Sequence, residues 1–163
     1  MRDDLELLSD EIGHRLAGAG LKLAAAESCT GGWIAKCVTD VAGSSNWFDR
    51  GFVTYSNDAK SEMLGVAAET LNAYGAVSEP VVREMALGAL ARSKAGVSIA
   101  VSGVAGPGGG SAEKPVGTVC FGFVLGGRIA TETRRFDGAR DAVRRQSVVH
   151  AMRRLLALLS DGD

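Results

Sequence analysis

The strongest constraint on the fold lies near the N-terminus, where residues 21–26 (Leu-Lys-Leu-Ala-Ala-Ala) form a short, mostly apolar run without room for a helix. Glu27-Ser28-Cys29-Thr30-Gly31-Gly32 follows, and apolar residues then return at helical spacing over 33–41. A buried strand, a small polar turn and a helix in that order form the repeating unit of open α/β sheets. The N–H groups that open such a helix face whatever occupies the space beyond the strand. The unit therefore predicts a fold class and marks a place where chemistry can sit.

The remaining sequence extends the alternation. Leu5, Leu8, Ile12 and Leu16 recur at steps of three and four, predicting an amphipathic helix that ends near Gly18 and Gly20. Gly51-Phe52-Val53-Thr54-Tyr55 reads as a strand, and Ser56-Asn57-Asp58 supplies caps for a short helix carrying Lys60 and Leu64. Ser78-Glu79-Pro80 opens another helix with Val82, Met85, Ala89 and Leu90 on its apolar face. A third strand over 97–102 leads into the glycine-rich loop 103–110. Two strands over 116–125 and 129–136 form a hairpin through Gly126-Gly127. A last helix runs from Asp137 or Gly138 to Leu159, with Val143, Val148, Met152, Leu155 and Leu159 facing inward. Early alternation and a late hairpin predict a layered α/β fold with a mixed sheet.

Composition narrows the function. At 163 residues, the chain is expected to form one domain spanning 1–163. Eighteen Lys and Arg against nineteen Asp and Glu give a net charge of −1, which argues against nucleic-acid or membrane-surface partners. No apolar stretch approaches the ~20 residues of a membrane span. Met1-Arg2-Asp3-Asp4 lacks an export signal, so a cytoplasmic location is expected. Cys29, Cys37 and Cys120 show no zinc or disulfide spacing, and His14 and His150 lie far apart, so neither a metal nor a cofactor is expected. Glycine makes up 22 of the 163 residues, nearly twice the usual share of about 7%, so several tight backbone sites are expected.

Ser28 is the leading candidate for chemistry, flanked by small residues that let a ligand approach the backbone. Two readings compete: a helix cap, which Thr30 could also supply, or a nucleophile whose oxyanion the helix start would hold. The histidines are poorly placed for a triad, which leaves a desolvated lysine as base. Lys36 falls mid-helix, and Gly31 occupies the lysine position of a Ser-x-x-Lys motif. Lys60 follows a buried-looking strand that ends in Tyr55, and neighbouring strand ends can bring Ser28, Tyr55 and Lys60 together. An exposed lysine on a short helix is the commoner arrangement. Cys29 competes with Ser28 as a nucleophile, and burial as a small apolar residue is its commoner use. Loop 103–110 fits no Walker or dinucleotide fingerprint; it is either a pocket wall or a bare crossover. Arg140 and Arg144 are four apart at a helix start and share a face suited to phosphate. Trp47 and Phe48 could stack on a ligand ring or fill the core.

Seven stretches together resemble the CinA C-terminal domain family, in particular its stand-alone nicotinamide-nucleotide amidases. They are Ala26-Glu27-Ser28-Cys29-Thr30-Gly31-Gly32, Gly43-Ser44-Ser45, Gly51-Phe52-Val53-Thr54-Tyr55-Ser56-Asn57, Lys60, Gly75-Ala76-Val77-Ser78, Ser102-Gly103-Val104-Ala105-Gly106-Pro107 and Lys114-Pro115-Val116-Gly117-Thr118-Val119. The match keeps its order and spans about residues 6–156. The resemblance implies a three-layer α/β/α fold and hydrolysis of the carboxamide of nicotinamide mononucleotide to nicotinate mononucleotide and ammonia. It also implies a serine nucleophile assisted by lysine and tyrosine, matching Ser28, Lys60 and Tyr55. Thr30, Ser44, Ser45, Gly103, Gly106, Arg140 and Arg144 are the expected substrate contacts. The molybdopterin-binding-like domain of longer members has no counterpart in these residues, so its activity is not expected. A homodimer is expected because two-fold dimers are the commonest assembly. Two rival readings stay open: a non-catalytic nucleotide-binding or interaction module, and an amidase for another carboxamide.

Overall fold

The computed structural model describes residues 3–161. Its strands are β1 (Leu23–Glu27), β2 (Phe48–Val53), β3 (Val97–Gly103), β4 (Thr118–Leu125) and β5 (Arg128–Arg135). They form one sheet in the order β2-β1-β3-β4-β5. The first three strands are parallel, and β4 and β5 are each antiparallel to their predecessor. Helices α1 (Asp4–Ala19), α2 (Trp33–Thr39) and α6 (Arg140–Asp161) cover one face. On the other, α5 (Glu79–Ala91) packs on the sheet, with α3 (Asn57–Leu64) and α4 (Ala68–Tyr74) against it. The mixed sheet and its three α/β/α layers agree with the sequence reading.

The alternation of β1 explains the two cores. Leu23 and Ala25 point into the layer of α1 and α6, and Ala24 and Ala26 into the layer of α5. All five residues of β1 are buried, as expected for a central strand covered on both faces. In α5 the Ser78 hydroxyl accepts from the Val81 N–H at 3.4 Å, and Pro80 stands in the first turn. That helix buries Val81, Val82 and Met85, each large apolar side chain contributing about 1.5–3 kcal/mol. A Cβ at Gly88 would lie 2.0 Å from the Leu64 carbonyl oxygen, so only glycine lets the end of α3 rest on α5. The Ser56 hydroxyl caps the other end of α3 by accepting from the Ala59 N–H at 3.0 Å. These two constraints seat Lys60 beneath the sheet edge.

Several boundaries differ from the sequence reading. Strand β2 begins at Phe48, opposite Leu23, and ends at Val53, so Thr54 and Tyr55 leave the sheet. Gly138 has φ 110°, outside helical space, and α6 starts at Arg140 rather than near 137. Helix α4 has no fully buried residue and no side-chain cap, so the sequence gives it no signal. Glu84 of α5 holds it through the Ala67 N–H at 2.9 Å and the Thr70 hydroxyl at 2.5 Å. Trp47 is buried against Gly13, a core use rather than a ligand platform. Among the described residues no helix is long and apolar enough to cross a membrane.

Candidate active site

Strands β1, β2 and β3 point the same way, so their C-terminal ends open at one edge, where open α/β sheets hold ligands. Ser28 follows β1, Tyr55 lies just past β2, and Gly103 ends β3. With Asn57, Lys60 and Arg140 they line a cavity of about 320 Å³. Ala76, Val77 and the glycines of the loop after β3 complete its wall.

Ser28 is fixed to the sheet through its N–H, which donates to the Val101 carbonyl at 3.0 Å. The Ser28 Oγ lies 3.0 Å from Lys60 Nζ and 3.4 Å from the Tyr55 carbonyl oxygen. Lys60 is only 1% exposed, and its Nζ also meets the carbonyl oxygens of Thr54 at 3.0 Å and Tyr55 at 3.3 Å. Among the described residues no carboxylate pairs with it. Burial therefore pushes this ammonium below its ordinary value of 10.5, opposed weakly by the Cys29 thiol. A neutral amine there has two N–H groups for the two carbonyls and one lone pair for the serine hydroxyl. That arrangement can accept a proton from Ser28.

The structure places the other expected residues unevenly. Tyr55 is 61% exposed, and its phenol accepts from Arg140 Nη2 at 3.1 Å. Only its backbone carbonyl reaches Ser28 and Lys60. Arg140 also donates from Nη1 to the Gly106 carbonyl at 2.8 Å, so its guanidinium spans the mouth of the cavity. Gly103 and Gly106 line the wall as expected. Thr30 is buried and donates its hydroxyl to Glu27 Oε1 at 2.7 Å, away from the cavity. Arg144 donates from Nε to the Cys29 carbonyl at 3.0 Å and from Nη2 to that of Thr30 at 3.4 Å, and it lies over the Trp33 ring. Its side chain supports the Ser28 turn from outside and does not line the cavity.

Ser44 and Ser45 are not brought to the cavity. They precede β2, and the next residue but one, Trp47, accepts from the Leu23 N–H at 2.8 Å at the start of β1. Ser28 stands at the other end of that strand, roughly 16 Å away for five residues. The parallel pairing of β1 and β2 forces this separation, because the chain enters β2 at the end opposite the site.

Cys29 lines the cavity, but burial raises its thiol to about 11, which leaves it protonated and a poor nucleophile at neutral pH. Neither histidine lines the cavity; His150 pairs with Glu132 beside the rings of Phe121 and Phe136. Among the described residues no group of three or more His, Cys, Asp or Glu gathers as a metal site. The sequence reading missed Asn57, taken only as a cap, and the wall residues Ala76 and Val77. Those two small side chains carry no chemical signal of their own.

Residues 5–159 match the family described as CinA C-terminal domain. A relative named nicotinamide-nucleotide amidohydrolase PncC from Enterobacter agglomerans is 60% identical over 153 residues, covering 93% of each chain. Its namesake from Escherichia coli strain K12 is 56% identical over the same share of both chains. The crystal structure of competence/damage inducible protein CihA from Agrobacterium tumefaciens superimposes with a TM-score of 0.92, at 48% identity and 97% coverage of each chain.

Proposed function

The chain belongs to the CinA C-terminal domain family, and from that premise we propose that it is an enzyme hydrolysing the carboxamide of nicotinamide mononucleotide, with Ser28 as nucleophile and Lys60 as its base. The names of the stand-alone relatives support the substrate. The observation that carries the mechanism is the buried Lys60 amine, held by two carbonyls with its remaining direction on Ser28 Oγ at 3.0 Å.

Neutral Lys60 takes the Ser28 proton as Oγ bonds to the amide carbon. The N–H groups of Cys29 and Thr30 are the proposed oxyanion donors, each worth about 3–4 kcal/mol. The N–H of Gly31 is not in this set, because it donates to the Ser28 carbonyl at 3.0 Å. Protonated Lys60 then passes its proton to the departing nitrogen, the C–N bond breaks and ammonia leaves. Water, deprotonated by the same amine, cleaves the ester on Ser28 and releases nicotinate mononucleotide.

Tyr55 assists through its carbonyl, which helps hold the Lys60 amine, and through its phenol, which holds Arg140. Arg140 stands at the mouth as the phosphate ligand, so that remote binding energy orients the amide. Gly103 and Gly106 form the wall against which the nucleotide lies. The Thr30 side chain and Arg144 act on the turn rather than on substrate. This reading assigns the activity to a cytoplasmic homodimer that needs no metal or cofactor.

Ammonia release from nicotinamide mononucleotide, compared with nicotinamide riboside, tests the substrate. The expected result is turnover of the nucleotide, with the riboside poorer by the value of the phosphate contact. Equal turnover of both refutes the phosphate role, and release from neither refutes the substrate.

A further inference from the structure

Glu27 ends β1 directly before the nucleophile and is 1% exposed. Both of its carboxyl oxygens accept hydrogen bonds. Oε1 receives the Thr30 hydroxyl at 2.7 Å and the Ile34 N–H at 2.8 Å, and Oε2 receives the Ala35 N–H at 3.0 Å. Helix α2 begins after Gly32, which offers no side-chain cap. Glu27 therefore caps α2 from outside the helix, reaching across the turn that carries Ser28.

The turn needs such a tether. Gly31 and Gly32 close it at φ of 59° and 103°, a left-handed backbone that glycine adopts without strain and that leaves no side chain to hold the turn. From the solvent side Arg144 holds the Cys29 and Thr30 carbonyls. From the inside Glu27 holds the Thr30 side chain and the first free N–H groups of α2. The 3.0 Å approach of Ser28 Oγ to Lys60 depends on where this turn sits.

Helix capping accounts for the two N–H groups of α2, whereas the bond from the Thr30 hydroxyl ties Glu27 to the turn itself. At the cap position itself Gly32 has φ 103°, a backbone that serine and aspartate rarely adopt, so the acceptor for these N–H groups comes from outside the helix. The groups that shift Lys60 are burial and Cys29, and Glu27 is not among them. The hydrogen bonds of the carboxyl group run to Thr30 and α2, and those of Lys60 run to Ser28, Thr54 and Tyr55.

We propose that Glu27 is a positioning residue for Ser28, locking the nucleophile turn through Thr30 and the start of α2. The inference rests on Ser28 being the nucleophile. It also gives the Thr30 side chain a role that needs no contact with substrate.

The test combines turnover of nicotinamide mononucleotide with the rate at which an aryl fluorophosphonate labels Ser28, in Glu27→Gln, Thr30→Val and Thr30→Ser. Thr30→Val is expected to slow labelling and kcat on the order of 10-fold, and Glu27→Gln on the order of 100-fold, since small misplacements cost that much. KM and the pH midpoint of labelling should stay at wild-type values, and Thr30→Ser should restore both rates. A folded Thr30→Val or Glu27→Gln chain, checked by cooperative melting, that labels at the wild-type rate overturns the proposal. So does a shifted pH midpoint, which would make Glu27 an electrostatic partner of Lys60, or a Thr30→Ser chain as slow as Thr30→Val. Wild-type protein that labels at Ser28 without hydrolysing the nucleotide retires the substrate alone, and the labelling series still decides the role of Glu27. Hydrolysis without any dependence on Ser28 retires both.

Discussion

Replacing Lys60 by arginine keeps a cation beside Ser28 and removes the lone pair, because a guanidinium does not deprotonate in the working range. At its ordinary value of 10.5, a lysine is free base in about one molecule in a thousand at pH 7.5. Each pH unit by which burial lowers that value raises the free-base fraction tenfold, equivalent to about 1.4 kcal/mol. Wild-type kcat/KM should therefore climb tenfold per pH unit and level off at a midpoint below 10.5. A positioned base contributes about 10²–10⁴-fold, so Lys60→Arg should lose at least about 10²-fold across the whole range.

The same shift has a stability sign. Between the lowered folded-state value and 10.5 the unfolded chain binds more protons than the folded one, so stability rises with pH across that window. The penalty is fully present below the folded value and gone above 10.5. Lys60→Met removes the penalty, so wild type should gain stability relative to this variant as pH rises toward 10.5. Ammonia release measured against pH, with thermal melts of the same samples, reads both effects. A flat acid limb, or Lys60→Arg within about tenfold of wild type, would refute lysine as the base.

Arg140→Ala should raise KM for the nucleotide on the order of 10- to 100-fold, the value of a charged hydrogen bond, and leave the riboside nearly unchanged. Equal losses on both substrates would remove phosphate from its role. Tyr55→Phe keeps the carbonyl that faces Lys60, so kcat should stay within about threefold; a drop on the order of 10³-fold would mean that the phenol carries the proton. Cys29→Ala should turn over within about threefold of wild type, and iodoacetamide at neutral pH should spare the wild-type enzyme, because the thiol sits at about 11. Loss of activity in either experiment would reopen the thiol as nucleophile.

Local signals in the chain carried much of this architecture. The strand before Ser28, the Ser78-Pro80 helix start and the Gly126-Gly127 hairpin are each set by neighbouring residues, and each was legible. Helix α4 was not, because it buries nothing fully and hangs on Glu84, a residue of the next helix. The burial of Lys60 runs against the usual exposure of lysine. It depends on Gly88 letting α3 settle on α5, a contact between segments far apart in sequence. Ser44 and Ser45 were expected at the cavity on resemblance alone. The rule that parallel strands carry their sites at the C-terminal ends would have placed them at the wrong edge from sequence. The Tyr55 side chain was expected near Ser28, yet chain direction past β2 turns its carbonyl inward and its phenol out. The role of Glu27 carries no signal in the sequence, because a charged residue at a strand end is ordinarily solvated.

The most direct measurement is ammonia release from nicotinamide mononucleotide by wild type and Ser28→Ala side by side, with nucleotide binding followed by calorimetry. Ser28 as nucleophile predicts steady release by wild type, and in Ser28→Ala release at background with binding intact. Release by Ser28→Ala at a rate near wild type would contradict the serine mechanism outright.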